Sequence, residues 1–177
     1  MEKKILYWQI AGMVFILFVG SFMHFLFELT GNWSPVGAIA AVNESIWEHL
    51  KLGYWPLVFF ALIEYKFIKE EVNNFFLAKF ISVLSIIVII PVFFYSYTAI
   101  LGEHMLLLDM ISFILAIVVG QLLSYKILTK SSYSDLTLLL SLIGLITIGV
   151  IFVLFTYLPP HLPLFQDSLT GLYGIPY

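Results

Sequence analysis

Apolar stretches long enough to cross the hydrocarbon core of a bilayer recur along this chain, and a crossing takes about 20 residues of helix. A backbone immersed in lipid must satisfy its polar groups internally, so stretches of this kind confine the chain to a membrane helix bundle. The spans read as residues 6–27, 54–68, 74–99, 105–128 and 136–158, the second preceded by a helical lead from about Val36. Boundaries drawn this way are good to a few residues. Hydrophobic residues make up 62% of the chain and charged ones only 11%, which excludes a water-soluble fold. With 177 residues, five spans leave short loops, one tail (residues 159–177) and no room for a second domain.

Lysine placement orients the bundle. All eight basic residues are lysines, and an N-terminus on the cytoplasmic side puts Lys3, Lys4, Lys66, Lys69, Lys79, Lys126 and Lys130 inside and only Lys51 outside. The start of the chain imitates a signal peptide, with Lys3 and Lys4 ahead of an apolar run and Val19-Gly20-Ser21 as a weak cleavage match. The apolar run continues past that point, so it reads as a retained first helix. The tail and the Gly102-Glu103-His104 turn then lie outside. A net charge of -3 without a basic tract excludes nucleic acid as a partner. The absence of cysteine removes disulfides, thiolate nucleophiles, iron–sulfur clusters and cysteine-type zinc sites. The lysine-only, Ile- and Phe-rich composition suits an AT-rich bacterial genome and a bacterial cytoplasmic membrane.

That orientation gathers all four histidines, His24, His49, His104 and His161, on the extracytoplasmic side. Six of the eleven acidic residues join them: Glu28, Glu44, Glu48, Glu103, Asp109 and Asp167. Ionisable groups near or inside apolar helix ends are costly and mark ion pathways or reactive sites. On the first span, Gly20, Ser21, His24 and Glu28 form one small and polar stripe, with His24 about 27 Å along from Leu6. His24 and Glu28 are one turn apart, spaced to share a metal or a proton. A histidine hydrogen-bonded to a neighbouring helix, beside a solvated Glu28, is the alternative. Asp109 heads a second stripe with Ser112, Ala116 and Gly120, turned toward the bundle interior; a helix N-terminal carboxylate favoured by the macrodipole is its alternative reading.

The most polar segment is Val42-Asn43-Glu44-Ser45-Ile46-Trp47-Glu48-His49-Leu50-Lys51. Helix from Val36 to Ile68 would measure about 50 Å, longer than the apolar core, so it must bend, and Gly53 with Pro56 is the expected place. A bent or re-entrant segment brings both carboxylates and His49 beside His24. An amphipathic interfacial helix anchored by Trp47, Tyr54 and Trp55 is the competing arrangement. Three of the tail's prolines, Pro159, Pro160 and Pro163, forbid a helix and suit a lid, with Leu164 and Phe165 packed down and His161 or Asp167 above the site, or a plain capping tail.

The segment from Val42 to Lys51, together with Ser21-Phe22-Met23-His24 before it and Pro159-Pro160 to Leu164-Phe165-Gln166-Asp167 after it, resembles a family of small uncharacterised bacterial integral membrane proteins. The resemblance covers essentially the whole chain and implies a multi-pass membrane protein with no activity attached. Zinc-protease motifs of the His-Glu-x-x-His kind, phosphate loops and dinucleotide fingerprints are absent from the sequence.

The resulting expectation is an all-α bundle of five transmembrane helices carrying a metal-dependent hydrolase site for a lipid-linked or extracytoplasmic substrate. His24, His49 and Asp109 are the expected ligands of a divalent metal, zinc by donor type, leaving a position for water. Glu48 or Glu44 takes the water's proton, and Lys51 stabilises developing negative charge. The alternatives are an ion- or proton-coupled carrier or channel using the same groups, and a non-enzymatic subunit stitched together by them.

Overall fold

The computed structural model describes residues 2–175, so the tail residues Pro176 and Tyr177 lie outside it. The fold is all-α: α1 (Glu2–Leu29), α2 (Ile46–Ile68), α3 (Phe75–Leu101), α4 (Leu106–Leu128) and α5 (Asp135–Tyr157). Short 3-10 turns at Ser34–Ala38 and Pro163–Phe165 interrupt the first loop and the tail. α1, α3, α4 and α5 are each long and apolar enough to cross a membrane, which makes this a multi-pass membrane protein. α2 is long enough but carries Glu48, Lys51, Glu64 and Lys66.

Helix ends follow local chemistry. The hydroxyls of Ser45 and Ser134 accept from the backbone N–H groups of Glu48 and Thr137, capping α2 and α5. α3 stops where Gly102 takes the left-handed conformation at φ 82°, open to a residue without Cβ. The break expected at Gly53 and Pro56 falls earlier. Residues 39–45 leave the helical path, and α2 runs through Pro56 unbroken. The reason is the Ser45 cap, which starts a new helix where the continuous one was expected.

The core takes one or more side chains from every helix, with Ile16, Leu50, Leu57, Ile86, Ile117 and Phe152 all buried in one cluster. Small residues set the closest approaches. A Cβ on Gly20 would meet the Leu52 carbonyl oxygen, and one on Gly120 would meet the Ser82 backbone at 2.9 Å. Tyr54 is buried, its hydroxyl donating to the Leu145 carbonyl at 2.8 Å. Trp47 lies in an aromatic cluster, 4.7 Å from both Phe152 and Phe165. The start of α2 is therefore packed inside the bundle and is not a helix lying on the membrane surface.

Among the described residues, two buried ion pairs anchor α2 to its neighbours. Near one end, Glu64 of α2 meets Lys79 of α3 at 2.6 Å, and Gln9 of α1 donates to Glu64 at 2.5 Å. Lys79 also donates to Gln9 and to Ser124 of α4. Near the other end, Lys51 pairs with Glu48 at 2.5 Å. Asn74 ties the end of α4 to the start of α3, donating to the carbonyls of Ile127, Lys130 and Ser131 and accepting from Tyr133 N–H.

Candidate metal centre

The loop before α2 turns Glu44 toward α1. The Asn43 side chain accepts from Ser45 N–H at 2.9 Å while its amide donates to the Gly174 carbonyl at 2.8 Å, so the turn is held on both sides. Ser45 caps the helix, and His49, in its first turn, follows one turn later. The His49 Nδ1–H donates to the Ser45 carbonyl at 2.8 Å. That bond fixes the ring and directs Nε2 toward His24 and Glu44, as the outer partner of a metal-ligating histidine does.

His24 on α1 brings its own Nε2 to 3.2 Å from His49 Nε2. Glu44 Oε2 lies 3.5 Å from the first nitrogen and 3.4 Å from the second. The three atoms make a nearly equilateral triangle. A tetrahedral zinc-class ion at about 2.0–2.1 Å from each donor would hold its donors about 3.3–3.4 Å apart, the size of this triangle. A cation among the three would satisfy all of them at once, as would protons carried by the imidazoles and shared with the carboxylate. Hydrogen bonds from His24 and then from His49 hold the Glu44 carboxyl well below the usual carboxylate range, outweighing its partial burial.

The triad lines a cavity of about 420 Å³ between α1, α2, α3 and α4. Leu52, Ile90, Phe94 and Phe113 form apolar walls, and Ser168 of the tail stands at its edge, donating to the Glu44 carbonyl at 3.1 Å. Asp109 and His104 line the same cavity as a second polar group. Tyr97 donates to Asp109 Oδ1 at 2.5 Å, His104 Nδ1 lies 3.7 Å from Oδ2, and the Tyr97 hydroxyl also accepts from Met105 N–H.

The expected site residues thus separate into three places. His24, His49 and Glu44 come together. Asp109 faces the same cavity but is engaged by Tyr97 and His104. Glu48 and Lys51 line no part of the cavity; their pair is 2% and 0% exposed. Lys51 donates to the Gly37 carbonyl and to Thr156, while Glu48 accepts from Thr156 and from Val42 N–H. Glu28 is exposed and forms no pair with His24, whose carboxylate partner is Glu44. His161 stacks on Tyr173 at 4.6 Å within the tail. Tyr97 and Thr156 were not distinguished by the sequence, because a polar residue at a helix end gives no spacing signal for a partner on another helix.

A family of unknown function (DUF6512) matches residues 1–175, and the chain belongs to it. No curated protein and no solved structure matches the chain.

Proposed function

We propose that this member of the DUF6512 family is a metal-dependent membrane hydrolase in which His24, His49 and Glu44 hold a zinc-class ion. The observation that supports the reading most directly is the triangle of edges 3.2, 3.4 and 3.5 Å made by two imidazole nitrogens and a carboxylate oxygen. Three protein ligands are the usual complement of a catalytic zinc, whose fourth position takes water. The cavity that all three residues line gives that water room.

A zinc-class ion held by the three residues would supply an activated water, and Asp109, which lines the same cavity, would accept a proton. In the cleavage of a carbonyl or phosphoryl linkage, Asp109 would then return that proton to the leaving oxygen. Tyr97 and His104 orient the carboxylate. Glu44 is a ligand here, not the base, and Glu48 and Lys51 serve the packing of α2 against α5.

The reading includes five crossings, with α2 carried through the membrane by its buried ion pairs, and a cytoplasmic N-terminus. Six lysines, Lys3, Lys4, Lys66, Lys69, Lys126 and Lys130, are exposed at the end where α1 begins and α2 and α4 end. Lys51, the lone lysine of the opposite side, is neutralised within the bundle. That asymmetry supports an extracytoplasmic metal centre in a bacterial cytoplasmic membrane.

Metal analysis of detergent-purified protein tests the centre. One transition-metal ion per chain is expected, lost in the His24→Ala/His49→Ala double variant. A metal-free preparation that takes up no added zinc, or a metal content indifferent to both substitutions, ends the reading.

A further inference from the structure

The cavity that holds the triad has an unusual mouth. Its interior residues, such as Leu52 and Ile90, are buried, but Ser21 and Phe25 of α1 and Leu106 and Met110 of α4 line it and are also exposed, Leu106 by 74% and Phe25 by 57%. These four form a rim on two helices that are each apolar and long enough to cross a membrane. The opening therefore faces sideways between α1 and α4. A pocket for a water-borne substrate would keep such large apolar side chains off its rim, where each would cost hydrophobic free energy in water.

Depth agrees with this. His24 lies five residues before the end of α1, about 8 Å below it, and Met110 is one turn inside α4. Helix ends of this length reach into the headgroup layer, so the triad sits near the boundary between headgroups and chains. A lipid molecule in the bilayer carries its ester or phosphoester linkages at that same level, with its chains beneath. The cavity volume of about 420 Å³ falls in the range of small-molecule sites, roughly 300–1,000 Å³. Gly20, where a Cβ would meet Leu52 and Phe113, keeps the floor of this space clear.

Resting on the hydrolase reading above, we infer that the substrate is a membrane lipid that enters sideways between α1 and α4. Its chain lies along Ile90, Phe94 and Phe113, and its ester or phosphoester linkage reaches His24, His49 and Glu44. Hydrolysis adds the elements of water across that linkage: the hydroxide oxygen bonds to the acyl carbon or phosphorus, and the alcohol oxygen departs with the proton. Both products leave by the same lateral mouth.

Photolabelling in vesicles of phosphatidylglycerol and phosphatidylethanolamine, doped with a phosphatidylglycerol bearing a chain-terminal diazirine, tests the inference. Ile90, only 6% exposed, is out of reach of lipid that merely surrounds the protein. The expected result is labelling at Ile90 that disappears in Ser21→Trp and in Met110→Trp. Both substitutions block the mouth from exposed positions and leave labelling of the outward α5 residues Leu139 and Ile146 unchanged, which also reports an intact fold. An unlabelled Ile90, or labelling that persists in both variants, overturns lateral lipid entry. Metal content measured on the same samples separates the two ideas: bound metal without Ile90 labelling sinks the lipid inference alone, whereas Ile90 labelling without metal sinks the hydrolase reading and leaves the lipid cavity standing.

Discussion

At the residue scale, the contrast between Glu44 and Glu48 shows how position along a turn decides what a carboxylate can do. Glu44 precedes the Ser45 cap and turns to two imidazoles; Glu48, one turn later, is sealed against Lys51 and Thr156. Removing one partner of a buried ion pair leaves the other charged and unpaired, which costs about 3–5 kcal/mol, whereas replacing both is far milder. Glu48→Gln is therefore expected to lower the thermal unfolding temperature in detergent sharply, and Glu48→Gln/Lys51→Met to recover most of the loss, with metal content preserved in the double variant. Should Glu48→Gln instead leave unfolding unchanged and abolish hydrolysis alone, Glu48 would return as the base. The sequence pointed to His24, His49 and the carboxylates by residue type, with Asp109 as the third ligand and Glu44 brought beside His24 by a bent segment. Spacing along one helix also offered Glu28, which is exposed and pairs with neither histidine; Glu44 reaches His24 from a loop whose course depends on the Asn43 and Ser45 side chains, and no periodicity encodes that turn.

At the element scale, the hydropathy of α1, α3, α4 and α5 carried their positions to within a few residues, because a lipid-facing helix must be apolar over its whole length. α2 was harder to read. Its charges are neutralised by partners on other helices, Lys79 on α3 among them, and a window that sees one helix at a time counts them as breaks in the span. The Gln9–Glu64–Lys79–Ser124 network stayed hidden for the same reason. Close helix contacts are where a small change travels to the site. Gly20 lies between His24 and the core, and a methyl group there would press on the Leu52 backbone. Gly20→Ala is expected to push α1 from α2, widen the separation of His24 from His49 and weaken metal binding about 10–100-fold, the usual scale for disturbing the support of a metal ligand. Equilibrium dialysis against zinc checks this, and an unaltered affinity would show that the helices absorb the methyl elsewhere.

At the scale of the whole molecule, two kinds of group are segregated: exposed lysines gather at one end of the bundle, the cluster of His24, His49 and Glu44 at the other. Because the chain has no cysteine, its topology can be tested without background. In intact bacterial cells, Ser168→Cys is expected to react with a membrane-impermeant maleimide, and Lys130→Cys only after permeabilisation. The opposite pattern would invert the bundle and place the centre in the cytoplasm. The bonds from Ser168 to the Glu44 carbonyl and from Asn43 to the Gly174 carbonyl have a further consequence. Translation delivers the tail only after all five helices have left the ribosome, whereas the loop it clasps emerges after the first. A nascent chain halted before α5 is complete has its histidines in place but no clasp for the turn that presents Glu44, so on the proposed reading the three donors assemble only once the tail has docked.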